Sequence, residues 1–393
     1  MKTEMQSQGK VVLKPGKEKA LLQRHPWIFS GAVQSLPDMQ AGEVFSVHSS
    51  AGEFLAKAYF NPDNSLVGRV LTFFDEPPAE AVKREMRRAY ALRQILPLET
   101  NAYRLINAEG DGLPGLIVDR YDDVLVMQIH TQGMEKFRSL IIEELVALIQ
   151  PRTIYEKSHS SAREQEGLVE TQGVVWGEEC DLVEMREREL LFQISLKEGQ
   201  KTGFFLDQRE MRAHVMRHAK GRRVLNCFSY TGAFALFALA GGAESATSVD
   251  SSKKAVEQAE KNTRLNGFSP EQHKLICEDA FLFLRKNPLD FNLVVLDPPA
   301  FIKKRSDVVQ GCKGYQEINR LVLEKIPSNS FLLTSSCSYY LDESLFQKVL
   351  FQAAFLARRK VRILAKHVHA EDHPTSLYHP EGAYLKSFFL HVE

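Results

Sequence analysis

The hydrophobic pattern changes character near residue 197. Beyond it, short apolar runs at 224–226, 246–249, 274–277, 293–296, 331–334, 361–364 and 385–392 alternate with stretches of helical spacing. One such stretch, 252–266, opens on Ser251 or Ser252 and closes on Asn266-Gly267, a capped helix in outline. Seven runs with helical crossovers predict a mostly parallel, doubly wound α/β sheet, the last two runs forming an antiparallel edge hairpin. Upstream, β-prone runs at 43–47, 54–60 and 67–74, split by turns at Ser50-Ala51-Gly52 and Asn61-Pro62-Asp63-Asn64, predict a small β-rich module. After the break at Pro77-Pro78 comes a connecting helix over 79–96. Runs near 116–118, 124–129, 153–155, 182–185 and 190–196, with a helix over 134–149, then read as an α+β piece. The expected domains are 1–75, 76–196 and 197–393.

In a doubly wound sheet, ligands sit beyond the carboxyl ends of the strands. The segment 224–250 is the organising unit: a strand ending at Asn226, a turn through Cys227, Phe228, Ser229 and Tyr230 to Gly232, an apolar helix, and a second strand ending on Asp250. Such a unit presents backbone N–H groups at the turn and a carboxylate where both ribose hydroxyls of a nucleoside can be accepted. With no G-x-G-x-x-G in the turn, S-adenosylmethionine fits better than a dinucleotide. Its expected holders are Gly203, Phe205, Asn226, Phe228, Ser229, Gly232, Asp250, Ser251, Asp279 and Ala280. Four of these have structural alternatives: Asp250 or Asp279 can serve as a helix N-cap, and the polar stretch 200–209 holding Gly203 and Phe205 can be a turn leading into a helix.

Asp297-Pro298-Pro299-Ala300-Phe301 follows the fourth run. Consecutive prolines fix an extended turn, presenting Asp297 at the mouth with Phe301 available to stack on a planar ring, a holder for a nucleobase bearing an amino group. Cys337 follows the fifth run, among Ser335, Ser336 and Ser338. Its plain reading is a small buried hydrophobe. Its chemical reading is a nucleophile: C5 of cytosine is too electron-poor to take a methyl unaided, and a thiolate adding to C6 activates it. Methylation of an exocyclic nitrogen needs no thiol, so Cys337 separates the two chemistries.

Lys plus Arg and Asp plus Glu both number 50, so nucleic-acid binding has to come from local patches. One such patch is Lys10, Lys14, Lys17, Lys19 and Arg24 against Glu18, directly before His25-Pro26-Trp27-Ile28-Phe29. Basic residues beside aromatics suit RNA; the alternative is a core Trp27 and Phe29 under a solvated lysine face. The five cysteines form no C-x-x-C pair, which argues against a disulfide framework or zinc site and implies a reducing cytoplasm. The N-terminus has Lys2 and Lys10 but no apolar leader core, and no run is long enough to span a bilayer.

Taken together, several stretches resemble the ribosomal RNA large subunit methyltransferase I family, which makes 5-methylcytosine in large-subunit rRNA with S-adenosylmethionine. They are Arg24-His25-Pro26-Trp27-Ile28-Phe29-Ser30-Gly31, Asp111-Gly112-Leu113-Pro114-Gly115, Lys201-Thr202-Gly203 with Leu206-Asp207-Gln208-Arg209, and Leu225–Gly232. The others are Asp297-Pro298-Pro299 with Phe301, Ser336-Cys337-Ser338, and His373-Pro374 with Pro380-Glu381-Gly382. The resemblance implies an N-terminal PUA RNA-binding domain, a central EEHEE domain and a C-terminal class I methyltransferase fold. It implies Cys337 as nucleophile and Asp297 as the base-contacting carboxylate, with Pro298, Pro299, Phe301, Lys14, Arg24 and Trp27 toward the substrate. The expected partner is large-subunit rRNA, with a homodimer allowed and no membrane. Two departures stand out: Ile326-Pro327-Ser328-Asn329-Ser330 lacks the family's Pro-Gly-Gly turn, and Ser335 stands where Phe or Thr is expected. The competing readings are an exocyclic-nitrogen base methyltransferase and a non-catalytic RNA-binding assembly factor.

Overall fold

The structure, a computed structural model, describes residues 9–393; residues 1–8, which belong to the expected 1–75 module and include Lys2, lie outside the described residues. The chain forms two compact units. One takes the residues up to 185 with 194–206 and 371–382, and the other takes 186–193, 207–370 and 383–393.

The first unit contains two sheets. A six-stranded sheet runs, in spatial order, Trp27–Phe29, Leu66–Thr72, Phe54–Phe60, Val44–His48, Lys10–Leu13 and Val33–Ser35. A five-stranded sheet runs Thr171–Gly177, Thr153–Ser158, Val124–Ile129, Leu116–Tyr121 and Ala102–Asn107. Its central strand Val124–Ile129 is buried along its whole length and pairs in parallel with Thr153–Ser158. A parallel pair needs a crossover, and the helix Arg138–Ile149 lies in it. Helix Pro78–Ile95 starts with proline at its first position, where the missing N–H costs nothing. It places Val82, Met86 and Ala89 in one core with Ile141 and Leu145. Tyr59 ties the two sheets together: its hydroxyl donates to the Pro114 carbonyl at 2.8 Å, and Gly133 lies against its ring, so close that a Cβ there would sit 2.0 Å from Cγ.

The strand pattern differs from expectation at two edges. Ala102–Asn107 has Arg104 in the middle of an apolar run, and Thr171–Gly177 is interrupted by glycine, so neither looks like a strand by alternation. Arg104 is nevertheless accommodated in the sheet because its guanidinium donates to Asp119 at 2.5 Å and to Asn107 at 2.8 Å. The runs expected near 182–185 and 190–196 do not join this sheet; Leu182–Glu187 and Leu190–Ser195 make a separate two-stranded one.

The second unit is the doubly wound sheet. Its strands in chain order are Arg223–Cys227, Ser245–Asp250, His273–Cys277, Leu293–Leu296, Ser330–Ser336, Val361–His367 and Lys386–Val392. They lie side by side in the order third, second, first, fourth, fifth, seventh, sixth. The first five are mutually parallel, and the seventh runs antiparallel to both the fifth and the sixth. Alternate residues feed two cores, as a sheet covered on both faces requires. Leu225, Leu296, Leu332 and Phe388 pack on one side with Ile318, Val322 and Phe346; Val224, Val295, Leu333 and Phe389 pack on the other with Met211 and Val215.

The last two runs are antiparallel neighbours as expected, but the seventh strand slots inside rather than ending the sheet. The reason is compositional. Phe388, Phe389 and Leu390 are buried on both faces, whereas Val361–His367 carries Arg362 and Lys366 and is largely exposed, a charge-protected edge. The helix expected over 252–266 is Lys253–Leu265, with the Ser252 hydroxyl accepting from the Ala255 N–H as N-cap. Among the described residues, no helix is long and apolar enough to cross a membrane.

Candidate active site

Ladder register brings the strand ends into line. Cys227 pairs with Val249 on one side and Leu296 on the other, and Leu296 pairs with Thr334. Phe228, Asp250, Asp297 and Ser335, each one residue further on, therefore line up at the carboxyl ends of these strands.

The turn after the first strand is strained. Phe228 and Tyr230 have φ of +57° and +47°, a region where a non-glycine residue costs about 1–3 kcal/mol. Gly232 follows at φ +79°, packed so that a Cβ would lie 3.2 Å from Ala259 Cβ and from His273 Cε1. What holds the turn is Asp250: its two carboxylate oxygens accept from the Tyr230 N–H at 2.8 Å and the Ser252 N–H at 2.9 Å. A carboxylate has roughly four acceptor positions, so capacity for hydroxyl donors remains after both bonds. The turn also buries polar atoms that have no partner among the described residues: both ends of the Asn226 amide, the Ser229 hydroxyl and the Thr231 hydroxyl. Native proteins rarely leave so many buried groups unsatisfied in one place. Cys227 is fully buried, and burial pushes its thiol far above the usual range, leaving it an inert packing residue.

Asp279 and Ala280 follow the third strand. Asp279 is exposed and one of its oxygens caps the next helix, accepting from the Leu282 N–H at 2.9 Å, so the N-cap alternative is realised for that atom. Ser251 is exposed beside Asp250, and Ala280 is buried. Gly203 and Phe205 stand in the other unit, on a braced turn. There the Phe204 N–H donates to the Tyr121 hydroxyl at 3.1 Å, the Thr202 hydroxyl donates to Asp119 at 2.6 Å, and the Lys201 ammonium sits 4.4 Å from the centre of the Phe205 ring.

Beyond the fourth strand, Asp297 is half-buried and its carboxylate accepts from the Gln208 side-chain amide at 3.0 Å. Pro298 is buried and Pro299 exposed. The Phe301 ring packs on Tyr315, with centroids 4.6 Å apart, and on Phe281 at 6.0 Å, so this aromatic is part of the protein's own stack. After the fifth strand, Ser335, Ser336 and Ser338 are buried while Cys337 is half-exposed. Ser335 is accommodated by a 2.8 Å hydroxyl contact with Ser387 across the ladder, which explains how the chain tolerates serine there. The Ser338 hydroxyl meets the Tyr315 hydroxyl at 2.9 Å and accepts from the Ile302 N–H at 3.2 Å, joining the Asp297 loop to the Cys337 loop.

In the first unit, Lys14 and Arg24 are exposed. The Lys14 ammonium reaches the Gly31 carbonyl at 3.1 Å, and the Arg24 guanidinium lies 4.9 Å from the centre of the Phe73 ring. Trp27 is half-buried: its indole N–H donates to Glu109 at 2.9 Å and its ring meets His379 edge-on at 4.4 Å. Phe29, by contrast, is 50% exposed. Gln208, Tyr315 and Lys386 join the candidate site without having been singled out from sequence. Gln208 is distant in sequence from Asp297, and the one hint of Lys386 is a lysine opening an apolar strand.

Residues 11–73 match the family model of a PUA-like domain, and residues 169–343 match that of an S-adenosylmethionine-dependent methyltransferase. Relatives named ribosomal RNA large subunit methyltransferase I from Yersinia pestis bv. Antiqua (strain Angola) and Yersinia pseudotuberculosis serotype O:3 are each 38% identical over 392 residues, covering 98% of this chain and 99% of the relative. The chain belongs to the ribosomal RNA large subunit methyltransferase I family. Two solved structures of similar fold cover 97% of it. One is the methyltransferase SMU.776 complexed with SAH, at 25% identity, TM-score 0.85 and 99% of that chain. The other is described as a SAM-dependent methyltransferase from Streptococcus mutans, at 24%, 0.83 and 99%.

The cofactor of this methyltransferase family is S-adenosylmethionine. The residues present fit it: a carboxylate fixed by two backbone amides, beside a strained turn whose buried amide and hydroxyls are unmatched by protein.

Proposed function

We propose that the protein methylates C5 of a cytosine in large-subunit ribosomal RNA, with Cys337 as nucleophile and Asp297 holding the base. The observation that carries this reading is the pairing of a half-exposed thiol with an amide-supported carboxylate at the ends of neighbouring parallel strands, bridged by Tyr315 and Ser338. The names of the relatives support rRNA as substrate.

S-adenosylmethionine, when bound, supplies an electrophilic methyl. Asn226, Phe228, Ser229, Gly232, Asp250, Ser251, Asp279 and Ala280 hold it; Asp250 takes the ribose hydroxyls. The target cytosine leaves its stack, and Asp297 accepts from its N4 amino group, oriented by Gln208. The Cys337 sulfur forms a bond to C6, which raises electron density at C5. Once C5 has been substituted, loss of its proton restores the double bond and breaks the C–S bond. Pro298 and Pro299 keep Asp297 in place, and Phe301 acts through the Tyr315 stack. Lys14, Arg24 and Trp27 of the PUA-like domain contact RNA backbone and bases.

RNA containing 5-fluorocytidine tests the mechanism, because fluorine cannot leave as a proton does. The expected product is a covalent protein–RNA adduct that is lost in Cys337→Ala. Methylcytidine modified on N4 in the product, or full activity in Cys337→Ala, removes the C5 reading.

A further inference from the structure

The seventh strand, apolar at Phe388, Phe389 and Leu390, begins with a lysine. Lys386 is only 7% exposed, and a buried ammonium needs hydrogen-bond acceptors. It has them: Nζ donates to the Ser338 carbonyl at 2.7 Å and to the Tyr384 carbonyl at 2.7 Å. The ladder pairs Lys386 with Ser336. Cys337 is thus bracketed, with Lys386 opposite the residue before it and the Lys386 ammonium bonded to the residue after it. The Ser338 N–H donates to the Ser336 hydroxyl at 3.2 Å, which closes the loop around the one side chain of this segment that is not buried.

A neutral peg would meet the steric need, so the charge calls for its own explanation. Burial lowers the Lys386 ammonium to about 8, against the opposing pull of Cys337 and then Asp342. Tyr315, raised by burial and lowered by its bonds to Ser336 and Ser338, is raised further by Cys337. Lys386 from the seventh strand and Tyr315 from helix Val308–Lys325 both feel the thiol, and Asp342, at the N-cap of helix Glu343–Leu356, acts on Lys386. Lys386 is the cation among them, and charges interact more strongly in a protein interior than in water.

We infer that Lys386 is a positioning residue whose buried ammonium pins the backbone after Cys337 and favours the thiolate form of that cysteine. This rests on the reading of Cys337 as nucleophile. A thiolate, not a thiol, attacks carbon, and a neighbouring cation increases its share at neutral pH.

The test is the pH profile of iodoacetamide alkylation of Cys337 in the full chain, followed by mass spectrometry of the peptide carrying it, which separates it from the other cysteines. In Lys386→Met the midpoint should rise by about one pH unit or more, and the rate at neutral pH should fall about tenfold. Lys386→Arg should restore the wild-type midpoint. An unchanged midpoint in a Lys386→Met protein that still gains thermal stability from S-adenosylmethionine overturns the inference. If Lys386→Met does not fold, Lys386→Arg decides: the charge is kept, so a raised midpoint overturns it and an unraised one supports it. The fluorocytidine adduct reports separately. No adduct in wild type together with a shifted midpoint defeats the C5 mechanism while leaving the effect of Lys386 on the thiol standing.

Discussion

Asn226 is the fourth residue of the strand Arg223–Cys227 and is 1% exposed, with neither end of its amide partnered among the described residues. A buried polar group without a partner costs about 1–3 kcal/mol. The two ends of this amide therefore destabilise the cofactor-free protein by about 2 kcal/mol or more. Asn226→Val removes both polar ends and installs a β-branched residue of similar size, suited to a strand. Without cofactor the variant should melt higher than wild type, by roughly 2–4 °C for each kcal/mol recovered in a domain of this size. Wild type at a hundredfold excess of S-adenosylmethionine over its Kd should gain about 2.7 kcal/mol. In the variant that gain should shrink, since the amide proposed to meet the ligand is gone. Thermal melts with and without S-adenosylmethionine, over a concentration series, read both effects at once. A variant that melts lower than wild type on its own and keeps the whole ligand-induced rise would refute the assignment of Asn226 to the cofactor.

Three further outcomes are expected. Cys337→Ala should abolish rRNA methylation, measured by nucleoside mass spectrometry, while keeping the ligand-induced rise in melting temperature, because the thiol lies apart from the Asn226–Asp250 turn. Arg212 donates to Glu187 at 2.7 and 2.5 Å in the interior, so Arg212→Met, which takes both bonds from a buried carboxylate and leaves Arg209 at 3.9 Å, should cost about 3 kcal/mol in urea unfolding. Burial holds the His273 imidazole at about 4, below its ordinary 6.5. The unfolded chain takes up that proton first, so the contribution of His273 is complete above about pH 6.5 and is lost as the pH falls toward 4. Melting temperature should drop across that window, and His273→Gln should flatten the drop; an identical pH dependence in the two proteins would count against it.

The periodic half of the molecule could be read directly. Runs such as 293–296 between helical stretches have one structural outcome, and the residues just past them, Asp250 and Asp297, were found because a strand end is a fixed place to look. Elements whose sense comes from a distant partner could not be read this way. Arg104 looks like a break in a strand until Asp119 is placed beside it, and the two runs of 182–196 look like members of the central sheet until they pair with each other. Gln208 lies in a stretch noted as polar, but its bond to Asp297 spans 89 residues. Phe301 was visible as an aromatic after a rigid turn, but its packing on Tyr315 and Phe281, elsewhere along the chain, was not. Asp279 realises the N-cap alternative with one oxygen, which accepts from the Leu282 N–H.

The late insertion of the seventh strand sets when the Cys337 loop can become ordered. Lys386–Val392 comes after every other strand in the chain, yet it lies between the fifth and the sixth and supplies the ammonium that fixes the Cys337 loop. While the ribosome is still adding these residues, the fifth strand has an open edge and the cysteine loop lacks its anchor. The Cys337 loop therefore gains its ordered form only once the seventh strand has been made and inserted.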